Sequence, residues 1–148
     1  VYDGAKAALP GGRAPPAEMV ELMRLETRFF EPAEWGGLYR TVELGGERAV
    51  GSEPALVVIK TSTGGMRLID YYSPRTMMHI GRDTAEFDPT AKKYRPMLIR
   101  YSDHKPVDGI PVAHAITTLD EANTLLGVMR LSSVAWDAAI PDGAFNIP

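Results

Sequence analysis

The sequence predicts a mainly β protein (α+β), an antiparallel meander of about seven strands with one helix near its N-terminus. Three observations predict it. Short segments rich in β-branched and aromatic residues follow one another from residue 38 to residue 136, and such residues favour strands. Short joints containing glycine or proline separate most of them, which favours antiparallel neighbours because parallel strands need long crossovers. Helical periodicity stands out in one segment, close to the start of the chain.

That segment predicts a helix over residues 15–31. Pro15 and Pro16 open it, which a first helical turn tolerates, and Glu18 lies near the positive end of the helix dipole. One apolar stripe repeats at the helical period, with Val20 and Leu25 flanking it; the stripe comprises Met19, Leu22, Met23 and Phe30. Glu26 lies close to this stripe, either as a carboxylate whose pKa burial alters or as an edge residue that reaches water. The following segment, PAEWGG, predicts a turn that holds Trp35 against the core.

The predicted strands begin after this turn. Their joints are the pairs Gly45-Gly46, Gly64-Gly65, Ser73-Pro74 and Asp108-Gly109, together with an acidic loop over residues 81–93 that carries Asp83, Glu86 and Asp88. The segments are LYRTVEL (38–44), ALVVIKT (55–61), MRLIDYY (66–72), TMMHI (76–80), YRPMLIRY (94–101), IPVAHAITT (110–118) and TLLGVMRLSSVAW (124–136).

Both faces of the last predicted strand are partly apolar. Met129 and its period-two neighbours lie on one face, while Val128 and Trp136 lie on the other. A sheet that is solvated on one side alternates more cleanly. We therefore expect one face to meet the helix and core, and the other to meet a partner, a lipid or a second layer.

Composition excludes several classes of function. The net charge is −3 and no basic cluster is longer than Lys92-Lys93, so nucleic acid is not expected as a ligand. No apolar run approaches the roughly 18 residues of a membrane-spanning helix. Cysteine is absent, which removes disulfides and thiolate chemistry but leaves the compartment open. Val1 in place of methionine favours a mature or trimmed chain.

No catalytic constellation is apparent in the sequence. His79, His104 and His114 lack metal-site spacing, although a composite metal site or a weak cation site in the acidic loop stays open. No glycine pair forms a phosphate-binding loop, and no nucleophile elbow is present. We therefore predict a non-enzyme without a cofactor or a metal.

Three segments resemble patterns of a known family. They are DYYSPRTMM (70–78), DHKPVDGIPVAH (103–114) and AWDAAIPDGAFNIP (135–148). They are similar to the closing part of the LolA-like family of periplasmic lipoprotein carriers and outer-membrane lipoprotein-sorting proteins. The resemblance covers residues 35–148 and consists of turn and packing patterns. Ser73 stands where the family pattern has Asp, and Met77 stands where it has Gly.

This resemblance implies a curved antiparallel sheet, an incomplete barrel, with the helix packed on it as a lid over an apolar cavity. It implies one domain over residues 1–148, with residues 1–14 as a strand remnant and loop, and 38–148 as the meander. The family's early-strand arginine has no matching position here. The resemblance therefore implies a fold more than lipoprotein carriage.

Two functions follow as expectations. The first is a periplasmic or extracellular binding module for an acyl chain or another hydrophobic ligand, and the second is an accessory subunit that uses its sheet edge and apolar faces for protein–protein contact. The candidate cavity residues are Met19, Leu22, Met23, Glu26, Phe30, Met66, Met78, Met97 and Met129. The candidate structural residues are Trp35, Trp136, Phe145 and Ile147, with Phe145 and Ile147 on one face of a final strand.

Overall fold

The computed structural model describes residues 14–26, 35–88, 93–136 and 139. It confirms the mainly β class, with seven antiparallel strands in one unclosed, curved sheet and a short helix. The helices are α1 (Ala17–Glu26) and the single turn α2 (Trp35–Leu38). The strands are β1 (Tyr39–Val50), β2 (Glu53–Ser62), β3 (Arg67–Tyr72), β4 (His79–Asp88), β5 (Lys93–Val107), β6 (Ile110–Asp120) and β7 (Leu125–Arg130).

Each strand pairs with its neighbours in sequence, in the order β1-β2-β3-β4-β5-β6-β7, so β1 and β7 form the two edges of the sheet. The chain divides into two compact units. One comprises Thr41–Lys60 and Arg67–Trp136 and holds most of the sheet; the other comprises Val1–Arg40, Thr61–Met66 and Asp137–Pro148. The prediction of one domain over residues 1–148 stays a prediction.

Helix α1 begins at Ala17, directly after the proline pair and two residues later than predicted. The carbonyl of Pro16 accepts hydrogen bonds from the amides of Met19 and Val20, at 3.0 and 3.1 Å. The predicted end at residue 31 lies outside the described residues. Leu25 is the fully buried residue of the described helix, whereas the predicted stripe residues Met19, Leu22 and Met23 are half-buried. The buried side of α1 is therefore centred beside the predicted stripe, because tertiary contacts decide which face a short helix buries.

The predicted joint at Gly45-Gly46 is wrong. Both glycines lie inside β1, and the chain turns instead at Gly51 and the residue after it. A Cβ at Gly45 would approach the Ile59 side chain on β2 to 2.8 Å. Gly45 therefore lets side chains from β2 approach β1 closely. Its role is in packing within the sheet and not in a turn.

The predicted acidic loop is also wrong over residues 81–88, which belong to β4. The strand pairs with β5 in continuous register from Gly81↔Arg100 to Asp88↔Lys93. Glu86 and Arg95 face each other across this pair and form an ion pair of 2.9 Å. Pairing with β5 along the whole segment, and with β3 as far as Asp83, outweighs the low strand propensity of the acidic residues.

Three turns are confirmed, including the Ser73-Pro74 joint between β3 and β4, and two predicted strands extend too far, since β4 begins at His79 and not at Thr76. Asp108 and Gly109 have positive φ values of 50° and 81°, as a two-residue type I′ hairpin requires, and the Gly64-Gly65 joint lies in a turn. Strand β7 ends at Arg130, so Trp136 follows the strand. The Trp136 indole nitrogen donates a hydrogen bond to the carbonyl of Val107 at 3.3 Å.

Consecutive residues of β3 give the sheet two distinguishable faces, which we call the Tyr71 face and the Asp70 face. The register Asp83↔Leu98↔Leu119 continues the Tyr71 face, and Arg82↔Ile99↔Thr118 continues the Asp70 face. The buried apolar cluster comprises Val50, Ala55, Tyr71, Ile80, Leu98 and Leu119. Most of this cluster follows the Tyr71 face. The buried charged side chains lie mainly on the Asp70 face.

Candidate functional site

An ion-pair cluster is buried on the Asp70 face. Asp70 and Lys60 are fully buried, and Arg82 is 4% exposed. Arg82 donates two hydrogen bonds to the Asp70 carboxylate, from Nε to Oδ1 at 2.6 Å and from Nη2 to Oδ2 at 3.1 Å. Lys60 Nζ forms an ion pair with Oδ2. One carboxylate on β3 therefore connects cations on β2 and β4.

The Asp70 carboxyl is ionised in this surrounding. Burial alone raises its pKa. His79 and Arg82 together lower the pKa by more than burial raises it, so the pKa of Asp70 lies well below its ordinary value. Removing two charges from water is costly unless close partners compensate. The geometry supplies such partners on both carboxylate oxygens, which indicates that the cluster fixes β2, β3 and β4 to one another.

His79 borders this cluster and is partly exposed. Its Nε2 lies 3.4 Å from Asp70 Oδ1, yet this buried nitrogen makes no hydrogen bond within the described part of the chain. The ring lies between Tyr72, with centroids 5.0 Å apart, and Tyr101, with centroids 4.7 Å apart. Its backbone carbonyl accepts a hydrogen bond from His104 Nε2 at 3.2 Å. An imidazole beside a carboxylate can move a proton, but Lys60 and Arg82 already bind that carboxylate.

A second polar contact lies on the Tyr71 face. The Tyr71 hydroxyl donates to Asp83 Oδ2 at 2.7 Å and accepts from Arg48, whose guanidinium carbon lies 5.2 Å from the ring centroid. Burial and then Asp83 raise the pKa of the Tyr71 hydroxyl, so it is protonated and donates. Arg48 and Asp83 are both partly exposed. This contact anchors the hydroxyl end of an otherwise buried aromatic residue.

Strand β7 is the most apolar exposed element of the described chain. All six of its residues are exposed. Four of them are large and apolar, namely Leu125 (58% exposed), Leu126 (50%), Val128 (48%) and Met129 (52%). Edge strands usually carry charges or prolines that prevent pairing with other chains. In β7 the one charged residue is Arg130.

The backbone of β7 offers hydrogen-bonding groups on its open side. The amide of Leu131, the next residue, donates to the carbonyl of His114 on β6 at 2.9 Å, and the register continues as Met129↔Ile116 and Gly127↔Thr118. Residues that hydrogen-bond to a neighbouring strand alternate with residues that point away from it. The N–H and C=O groups of Val128 and Arg130 therefore point outward.

A groove of about 390 Å³ lies beside the start of β7. Its wall from β5 carries Lys93 and Arg95, and its wall from the end of β6 and the following turn carries Asp120 and Glu121. Met97 and Leu126 supply apolar surface within it. The groove is thus amphipathic and continuous with the apolar edge at Leu126.

Strand β1, at the other edge, differs in character. Its residues 40–49 are all exposed, including Leu44 (77%) and Val42 (38%). It also carries Arg40, Glu43, Glu47 and Arg48, which break the apolar surface. Charges on an edge disfavour unspecific pairing, so β7 is the better candidate surface.

Three of the predicted methionines lie in three different surroundings. Met78 packs against the buried cluster, Met97 lines the groove, and Met129 is on β7. Met66 is half-buried, as are Met19, Leu22 and Met23 on α1 and the two tryptophans, Trp35 and Trp136. The side chains of Glu26 and Phe30, and residues Phe145 and Ile147, lie outside the described residues. The proposed roles of all these residues stay predictions.

The sequence analysis missed the Asp70 cluster. Its members come from three strands, and no spacing in the sequence connects them. One signal was present: Lys60 and Asp70 are charged residues that directly follow apolar runs, in the segments ALVVIK and LID. Charged residues are almost never fully buried unless they are paired, so two such residues in neighbouring strands indicate a pair.

Comparisons with known proteins identify no relative of this chain. No family model, curated protein or solved structure matches it. Within residues 14–26, 35–88, 93–136 and 139, no group of three or more acidic or histidine side chains could hold a metal ion. Over the same residues, no helix has both the length and the apolar character needed to cross a membrane.

Proposed function

We propose that this protein is a non-catalytic interaction domain that binds another polypeptide by strand addition at the open edge of β7. The observation that carries the proposal is that all six residues of β7 are exposed, and that four of them have large apolar side chains. Outward backbone groups supply affinity in strand addition, and alternate side chains supply specificity. The adjoining groove supports the proposal, because it extends the apolar edge next to charges of both signs.

The test places a photoreactive side chain at Met129 in the cells that produce the protein, with the same group at exposed Glu53 on β2 as the matched control. We expect an adduct of discrete mass from position 129 alone. Val128→Pro removes an outward N–H, which an edge strand tolerates, and should abolish the adduct while leaving the far-ultraviolet circular dichroism of the chain unchanged. Equal adducts from both positions, or none from position 129, would contradict the proposal.

Binding of an acyl chain or another hydrophobic ligand is the second candidate. The apolar lining residues Met97, Leu126 and Pro96 favour it. Native mass spectrometry of the purified chain should then reveal bound lipid, and Met97→Glu should reduce it. A lipid-free chain that takes up no fatty acid from added vesicles would exclude this candidate.

The proposed compartment is the periplasm or the extracellular face of a membrane, and its support is the resemblance to lipoprotein-carrier patterns. Expression with and without an export signal tests it. We expect the exported chain to be soluble, protease-resistant and able to give the position 129 adduct. An adduct formed solely in the cytoplasm would contradict this placement.

A further inference from the structure

We infer that the polypeptide bound at β7 is a second copy of this chain, paired antiparallel through β7 about a two-fold axis at Val128. The inference rests on the proposed function and names its partner. A two-fold interface is the commonest in soluble oligomers, and it requires a surface that is complementary to itself. Strand β7 meets this requirement in its backbone, its side chains and its charges.

The backbone argument concerns Val128. Its N–H and C=O point away from β6, as the hydrogen bond from Leu131 to His114 and the β6–β7 register require. Two copies related by an axis at this residue exchange both hydrogen bonds between their Val128 residues. Arg130 of each copy then lies opposite Leu126 of the other, which is the residue at which the β6–β7 register shifts.

The side-chain argument concerns Met129 and Gly127. In this register Met129 of each copy lies opposite Gly127 of the other, on the same face of the joined sheet. A Cβ at Gly127 would meet no atom within 4 Å, so the space above this glycine is open. The half-exposed Met129 side chain of the other copy fills that space, and the two-fold symmetry gives two such contacts.

The charge argument selects the antiparallel arrangement. Strand β7 ends with Arg130, while the end of β6 and the turn before β7 carry Asp120 and Glu121. Antiparallel pairing brings the basic end of each copy to the acidic end of the other. Parallel pairing would place Arg130 beside Arg130, and like charges directly opposite each other destabilise a strand pair.

The first experiment measures mass by sedimentation velocity over a range of micromolar concentrations. We expect the mass of two chains for the protein as given, and the mass of one chain for Val128→Pro. Leu44→Lys on β1, the other edge, should leave the two-chain mass unchanged. A monomer at every concentration would overturn the inference.

The second experiment uses the absence of cysteine from the chain, so that one introduced cysteine reports one position. Facing residues in a hydrogen-bonded antiparallel pair have Cα atoms roughly 5.5 Å apart, within the range of a disulfide. Val128→Cys should therefore form a disulfide-linked dimer under mild oxidation. Met129→Cys alone should not, because two strand steps separate its Cα atoms by roughly 8 Å.

A mixture of Gly127→Cys and Met129→Cys supplies the matched positive control, and it should form a mixed dimer. Cross-linking through Leu44→Cys in place of Val128→Cys would move the interface to β1 and overturn the inference. The position 129 photoadduct separates this failure from failure of the proposed function. An adduct with a different protein preserves strand addition at β7 and excludes the second copy, whereas no adduct removes both.

Discussion

The two faces of the sheet are both partly buried, but they are buried by different chemistry. On the Tyr71 face, apolar side chains form a cluster whose stabilisation is divided among many small contacts. On the Asp70 face, the negative charge of one carboxylate compensates the buried positive charges of Lys60 and Arg82. The stabilisation from apolar burial falls in proportion to the apolar surface that a substitution removes. In a buried ion pair, by contrast, removal of one partner leaves the other charge buried and uncompensated. We therefore expect substitutions on the two faces to differ in size.

The largest expected effect is that of Asp70→Asn, which keeps the shape and removes the charge. Lys60 and Arg82 then remain buried without their carboxylate. The free energy of unfolding should fall by about 3–5 kcal/mol, as for other buried pairs that lose one partner. Urea unfolding followed by circular dichroism measures it. Asp103→Asn is the matched control, because Asp103 is exposed and pairs with Lys105, and it should have little effect.

Acidification should also weaken the Asp70 face more than the Tyr71 face. The pKa of Asp70 is lowered by folding, so the folded protein holds this carboxylate ionised more strongly than the unfolded chain does. Its contribution to stability is complete above the ordinary pKa of 3.8 and is lost as pH falls below it. Unfolding midpoints measured between neutral and acidic pH should fall less steeply in Asp70→Asn. Equal slopes in both proteins would show that Asp70 does not carry the acid sensitivity.

A smaller effect is expected from Tyr71→Phe on the opposite face. The ring stays buried, and the contacts with Asp83 and Arg48 are lost. Both partners are partly exposed and can bind water instead, so the loss should be about 1 kcal/mol. Chemical unfolding beside Asp70→Asn tests the comparison directly. A loss as large as that of Asp70→Asn would remove the proposed difference between the faces.

The smallest effect is a gain. Met77, in the β3–β4 turn, has a φ of 58° and an exposed side chain. Non-glycine residues in this left-handed conformation cost roughly 1–2 kcal/mol, while glycine loses roughly 0.5–1 kcal/mol of chain entropy. Met77→Gly should therefore raise the free energy of unfolding by up to about 1 kcal/mol. Met78→Gly, at the next position, should instead destabilise, because Met78 packs against the buried cluster.

The sequence predicted the strands better than the surfaces they form. Short β-branched segments and the Asp108-Gly109 turn are local signals, so they predicted the meander and one hairpin correctly. Gly45-Gly46 and the acidic segment 81–88 misled because glycine and carboxylates are frequent in turns, while here the neighbouring strands decide their conformation. Leu25 was missed as the buried residue of α1 for the same reason.

The candidate surface depends on which strand forms an edge, and this is a property of the whole sheet. The apolar residues of β7 were visible in the sequence as a two-faced strand. Their exposure follows from the position of β7 at the end of the strand order. The Asp70 cluster likewise needs the register of three strands, which local patterns do not contain.

The sequential order of the strands also has a consequence for how the chain folds. Because every strand pairs with its neighbour in sequence, the ladder needs few distant segments to meet before the first contacts form. Proteins with such local contacts pay less loop-closure entropy and fold faster than Greek-key sandwiches of similar size. We expect the sheet to grow hairpin by hairpin, with the tight β5–β6 turn as a starting point and β7 among the last strands added.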